Sequence, residues 1–309
     1  MSRFRYLIVT CVIALFCSAI SAQPPQIVQD LCRRGTQRYL KGDFEGAIAD
    51  YTQAIELSSS LTTKLPQTNL SGESGGFDQI KFIDPLAAKA YFNRGLARHQ
   101  SGDVKGAMAD YSQALRFNPQ LADAYNNRGA IHQAKNEIEE ALSDFTRAIA
   151  IDPHNVEAYN NRATILRDRG DFDGALADFN RAIALDPKCA VAYYGRGVAY
   201  EDKKKIEEAV ADLTQAIKID PKMAWAYYNR GLAWFEQKDI NKAMVDYNRA
   251  MEIDPALAEA YADRGLIRLL QGMDAEAEKD FARCLTLKPA LRPIVEKGIR
   301  TIKERRVKK

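Results

Sequence analysis

The chain has 309 residues, with 44 Lys and Arg against 41 Asp and Glu, and a formal net charge of +3. Its hydrophobic (46%) and charged (28%) fractions are those of an ordinary globular protein, and so even a balance gives no electrostatic footprint for nucleic-acid binding. Of five cysteines, Cys11 and Cys17 lie in the first 22 residues, so an odd three (Cys32, Cys189 and Cys284) remain and exclude a disulfide framework.

Residues 1–22 read as a secretory signal peptide. Arg3 and Arg5 supply the positive start, Leu7 to Phe16 the apolar run, and Ser18, Ala19, Ser21 and Ala22 the small residues for cleavage after Ala22. The alternative is an uncleaved anchor, for which the run falls short of the roughly 20 residues a span needs. A lipoprotein signal at Cys17 is opposed by the bulky Phe16 before it. The protein is therefore expected outside the cytoplasm, periplasmic or secreted, and at a membrane only if this segment is retained or the basic C-terminus binds lipid.

Beyond the leader the chain follows a fixed period. Pro119, Pro153, Pro187, Pro221, Pro255 and Pro289 are each 34 residues apart. With these prolines at repeat position 32, repeats start at Val28, Ala88, Ala122, Val156, Ala190, Ala224 and Ala258. Position 20 is Ala in all seven, from Ala47 to Ala277. Position 8 is Gly except at Ala163. Position 24 is aromatic except at Leu213. Position 27 is Ala until Cys284, and position 4 is Leu31 followed by six tyrosines. A period of this size means an array of small units. Apolar residues at helical spacing make each unit two helices. Gly42, Gly102, Gly170 and Gly272 stand where a left-handed cap ends the first helix. Asp43, Asp103, Asp171 and Asp239 stand where the second begins.

This set of positions resembles the tetratricopeptide repeat, in period and in its Gly, Ala, aromatic and Pro positions, over residues 28–291. The resemblance implies an all-α right-handed superhelical solenoid of seven helix-turn-helix repeats, closed by a C-terminal capping helix. One hairpin cannot bury its apolar face, and stacking buries it.

Position 7 is Arg in every repeat and position 23 is Asp in every repeat. In a hairpin that turns near position 15 these two positions face each other. A structural ion pair inside each repeat follows, from Arg34 with Asp50 to Arg264 with Asp280.

In chain order the first repeat covers 23–57. Residues 58–83 then interrupt the register with a Ser- and Gly-rich insertion, read as flexible. Its Phe77, Ile80, Phe82 and Ile83 offer an apolar patch that could fold back, and Asn69-Leu70-Ser71 matches a glycosylation acceptor. Six contiguous repeats fill 84–291. Residues 292–309 form a last helix with an apolar stripe of Ile294, Val295, Ile299 and Ile302 and an otherwise basic surface. It reads as a solvated cap or as a surface for anionic lipid.

No catalytic pattern stands out. His99, His132 and His154 have no metal-site spacing, and neither a phosphate loop nor a Gly-x-Ser-x-Gly elbow occurs. The expectation is no enzyme, cofactor or metal site, but a scaffold for a protein or peptide partner. In the family it resembles, first helices line a concave groove at positions 2, 5, 6, 9, 12 and 13. Asn93, Asn127, Asn161, Asn229 and Asp263 fall at position 6. A side-chain amide both donates and accepts, so such a ladder suits a peptide backbone; equally, the Asn could bond neighbouring helices. Tyr194, Trp225, Tyr228 and Phe235 map to the same face as aromatic anchors. The residues by which some members hold acidic chaperone tails are absent, since the matching positions are Phe92 and Leu96, or Asn126 and Ala130. A second reading is a structural or self-assembling envelope protein.

Overall fold

A computed structural model describes residues 24–62 and 85–307. The leader and most of the insertion, including Asn69, lie outside the described residues. The chain divides into two compact units, Met1–Pro153 and His154–Lys309.

The first unit holds three antiparallel hairpins: α1 (Pro24–Leu40) with α2 (Phe44–Thr62), α3 (Pro85–Gln100) with α4 (Val104–Phe117), and α5 (Ala122–Ala134) with α6 (Ile138–Ile151). Helix α2 continues through Ser58–Thr62, into the stretch read as insertion. The second unit holds four: α7 (Val156–Asp168) with α8 (Phe172–Leu185), α9 (Ala190–Asp202) with α10 (Ile206–Ile219), α11 (Ala224–Glu236) with α12 (Ile240–Ile253), and α13 (Ala258–Leu270) with α14 (Asp274–Leu287). A 3-10 turn, Pro289–Leu291, leads into α15 (Arg292–Val307), which packs on α13. The described residues contain no strand.

The turns follow the anticipated chemistry. Gly42, Gly102, Gly170 and Gly272 have φ of 79°, 89°, 82° and 84°, a region open to glycine at little cost. The same turn position is Asn136, Lys204 and Lys238 in the other repeats, also at positive φ. Asp43, Asp103, Asp171 and Asp239 each accept the backbone N–H three residues on, which satisfies a donor the helix start leaves orphaned.

The core is the repeated small–aromatic–small set. Position 20 and position 27 residues are fully buried in every hairpin, and Tyr111, Phe145 and Leu213 have no exposed surface. Each such large side chain contributes about 1.5–3 kcal/mol by leaving water. The glycine at position 8 gives the ring its space: a Cβ on Gly129 would lie 2.8 Å from Phe145 Cε1.

Every predicted ion pair forms. Each arginine donates from Nε and Nη2 to the two carboxylate oxygens of its aspartate, as in Arg230 with Asp246 at 2.7 and 2.8 Å and Arg94 with Asp110 at 2.9 and 2.7 Å. The arginine has two further roles that the spacing did not show. Its guanidinium lies over the position 4 tyrosine, 5.4 Å away for Arg94 over Tyr91 and 5.6 Å for Arg230 over Tyr227. Those tyrosines are therefore half-buried partners of a cation. Its Nη1 also reaches the preceding hairpin, where Arg94 donates to Thr52, Arg196 to Asn180, Arg230 to Thr214 and Arg264 to Asn248.

Candidate peptide-binding face

Within the second unit the first helices touch in sequence, α7 with α9 and α9 with α11, and form one layer. Side chains at positions 5 and 6 tie this layer together. Tyr194 on α9 accepts a hydrogen bond from Asn229 Nδ2 on α11 at 3.0 Å. Tyr228 on α11 donates to Asp263 on α13 at 2.8 Å. Each link joins residues 35 apart, position 5 of one repeat to position 6 of the next. Burial raises the Tyr194 and Tyr228 hydroxyl pKa values, and burial also raises that of Asp263 against the opposing bond from Tyr228.

The sequence-derived candidates thus separate into two groups. Asn229, Tyr228, Tyr194 and Asp263 form the framework, with Asn229 and Tyr228 only 9% exposed. Trp225 and Phe235 are the open groups, 45% and 38% exposed. Trp225 stands edge-on to Tyr228 with ring centroids 5.6 Å apart, so a buried ring fixes its base while its outer face stays free. Among the asparagines, Asn93 and Asn161 are half-buried. Asn127 donates to the Asp123 carbonyl of its own helix at 2.9 Å.

The two units differ in charge on their first helices. In the first, a cleft of about 520 Å³ between α1 and α3 is lined by Cys32, Arg33, Thr36, Leu86 and Lys89. In the second, acids gather at the C-terminal ends of α7, α9 and α11, at repeat positions 12 and 13: Asp168, Glu201, Asp202 and Glu236. Glu201 and Glu236 were missed as site candidates. The signal was present as the recurrence of acids at those positions, but the spacing alone did not show that Glu201 is half-buried beside Glu236. Burial, with Glu236 and Asp202 nearby, pushes the Glu201 carboxyl up to about 7.

Family models for the tetratricopeptide repeat match residues 95–136, 122–155, 160–224, 224–257 and 258–291. The chain belongs to the tetratricopeptide repeat family. Solved structures agree on the fold. A tetratricopeptide repeat protein from Parabacteroides merdae aligns with a TM-score of 0.61 at 19% identity, covering 90% of this chain and 99% of that one. The Cut9–Hcn1 hetero-tetramer of the APC/C aligns at 0.63 and 15% identity, covering 88% and 55%. Pseudomonas aeruginosa pilF aligns at 0.58 and 17% identity, covering 71% and 97%. Among curated proteins, none matches the sequence.

Tetratricopeptide repeat proteins generally mediate protein–protein interaction. In this member the first hairpin, α1 with α2, precedes the matched residues and joins the array by geometry, through its own Arg34–Asp50 pair at 2.9 and 2.6 Å. Cys32 and Cys284 are buried thiols, and Cys189 is partly exposed and unpaired in any disulfide. Among the described residues no group of three His, Cys, Asp or Glu side chains is placed to hold a metal ion. No described helix is long and apolar enough to cross a membrane.

Proposed function

We propose that this protein is an interaction scaffold that holds an extended segment of a partner polypeptide on its first-helix face, outside the cytoplasm. The observation that carries this reading is Trp225, an exposed indole standing on a buried, hydrogen-bonded ring. Aromatic anchors fixed in place before binding lose little conformational freedom on association and are over-represented at interaction hot spots. The extracytoplasmic placement draws on residues 1–22, which read as an export signal.

The test is capture of partners from the extracytoplasmic fraction by parent protein, by Trp225→Ala/Tyr228→Ala and by Asn127→Ala/Asn161→Ala, each checked for unchanged helicity. A partner held by the parent and lost from the aromatic variant supports the reading. The same partners held by all three would remove the face from consideration. Fractionation of the producing cells tests location, and a cytoplasmic pool alone would contradict export.

A second reading, a self-assembling or membrane-surface protein, draws on α15, whose Lys297, Arg300, Lys303 and Arg305 are exposed. Growth of the sedimentation coefficient with protein concentration, or flotation with anionic vesicles, would favour it.

A further inference from the structure

Arg34 differs from the other arginines at its repeat position. Its side chain is 54% exposed, whereas Arg94, Arg128, Arg196, Arg230 and Arg264 are between 12% and 23% exposed. Each of those five meets a preceding hairpin that offers its Nη1 an oxygen, as Thr52 does for Arg94 and Thr214 for Arg230. Arg34 donates from Nε and Nη2 to Asp50, and among the described residues its Nη1 has no acceptor. The surface around it is open: Ile27, Asp30, Leu31, Arg33, Arg34 and Gln37 line a depression of about 490 Å³ along α1.

Asp30 stands one helical turn before Arg34 on the same face and has the matching need. It accepts from Gln26 Nε2 at 3.3 Å and from Arg33 Nη2 at 2.9 Å, and both bonds end on Oδ1. Among the described residues its Oδ2 has no donor. One face of α1 thus carries an unused cationic donor and an unused anionic acceptor, beside the exposed Ile27.

We propose that this face is the interface of a symmetric dimer, in which α1 packs antiparallel against α1 of a second copy. Across a two-fold axis, if residue i faces residue j then j faces i. Setting Asp30 against the second copy's Arg34 therefore sets Arg34 against the second copy's Asp30. Each free Nη1 then meets a free Oδ2, and the charge-assisted bond is made twice. The same register puts Ile27 on the aliphatic stem of the second copy's Gln37 and Leu31 near the axis. A parallel pair would instead oppose Asp30 to Asp30 and Arg34 to Arg34, which like-charge repulsion disfavours. The contact uses none of the candidate binding residues, so it is independent of the scaffold reading. Its consequence for a scaffold is two partner-binding faces per particle, which gain avidity for a repetitive partner. One helix against one helix is a small interface, so the dimer should dissociate on dilution.

The experiment is sedimentation velocity over a range of concentrations, on the untruncated protein recovered from its producing cells. The mass should saturate at twice that of the monomer, and high salt should weaken the association. Asp30→Lys sets a lysine against the second copy's Arg34 and should raise the dissociation constant at least about tenfold, with helicity unchanged. Ile27→Asp should weaken the dimer similarly, and Arg300→Ala/Lys303→Ala on α15 should leave it as it is. A cysteine pair tests the register. On a Cys189→Ser background, Ile27→Cys/Gln37→Cys should give a disulfide-linked dimer and Ile27→Cys alone should not. Within one chain these positions are about 15 Å apart along α1, too far to bridge. A parent that stays monomeric up to millimolar concentration overturns the proposal. So does a dimer indifferent to both α1 variants, or one lost from the α15 variant. Cross-linking of Ile27→Cys alone as readily as the pair overturns the antiparallel contact. Mass that climbs past the dimer means open-ended assembly and overturns the closed interface. Dimers confined to molecules that retain residues 1–22, read by mass spectrometry, would make that segment the contact and overturn the proposal as well.

Discussion

Asp246 has one arginine, and Asp110 has two. Arg98 donates to Asp110 at 2.9 Å beside Arg94, and Arg38 and Arg268 do the same for Asp50 and Asp280. At that repeat position the sixth hairpin carries Trp234, so Arg230 alone neutralises Asp246, whose side chain is 4% exposed. Removing one partner of a buried pair leaves an uncompensated charge and costs about 3–5 kcal/mol. Arg230→Ala should therefore lower the melting temperature clearly more than Arg94→Ala, where Arg98 still holds Asp110. Equal losses in thermal denaturation would contradict this account. Gly195 presents a second residue-scale case. In most hairpins the position 24 ring rests on the glycine at position 8 of its own repeat. Ala163 occupies that position in the fourth repeat, and the Phe179 ring instead lies against Gly195 of the next, where a Cβ would come within 2.4 Å of it. Gly195→Ala should cost about 1–3 kcal/mol by overpacking. Adding Ala163→Gly reopens the space used in the other repeats, so the double variant should recover part of that loss. Additive losses in a double-mutant cycle would show that the ring does not couple the two sites.

At the scale of the element, all seven hairpins turn through one left-handed residue, and two of the seven place there a lysine, which disfavours it. Lys238 is exposed at φ 66°. A non-glycine residue there costs roughly 1–2 kcal/mol, partly offset by the extra freedom glycine has when unfolded. Lys238→Gly should raise stability by about 0.5–1 kcal/mol, read as a rise in denaturation midpoint with the slope unchanged. The hairpin itself was legible from period, caps and facing charges, because these interactions lie within one repeat and recur in each. The last helix was legible except for Ile294, which is 65% exposed. The buried stripe runs Val295, Ile299, Ile302, four then three residues apart, and a residue one step off it points about 100° away.

For the molecule as a whole, each hairpin is stabilised by its neighbours, so the end of the array matters out of proportion to its length. Val295 and Ile302 are 1% and 8% exposed where α15 covers the last hairpin, and Arg306 bonds Asp274 at 2.8 Å. Deleting residues 292–309 uncovers Leu269 and its neighbours and removes two buried side chains worth about 1.5–3 kcal/mol each. Hydrogen exchange should accelerate first in α13 and α14, while α9 and α10 keep their protection. Uniform acceleration across the second unit would instead indicate one all-or-none block.

The family, the hairpin architecture and the seven ion pairs were determined by the sequence alone, since a strict 34-residue period repeats the same local contacts and leaves few alternatives. The candidate face was only half legible. Its residues could be named by position, yet Asn229 and Asp263 fall at the same repeat position as Asn127 and are held differently, by tyrosines one repeat back. The net charge of +3 likewise hid a face where acids gather. Only the tertiary structure decided these points, because contacts between successive repeats depend on which two side chains happen to meet, and burial, which sets the Glu201 proton affinity, belongs to the packed array and to no single repeat.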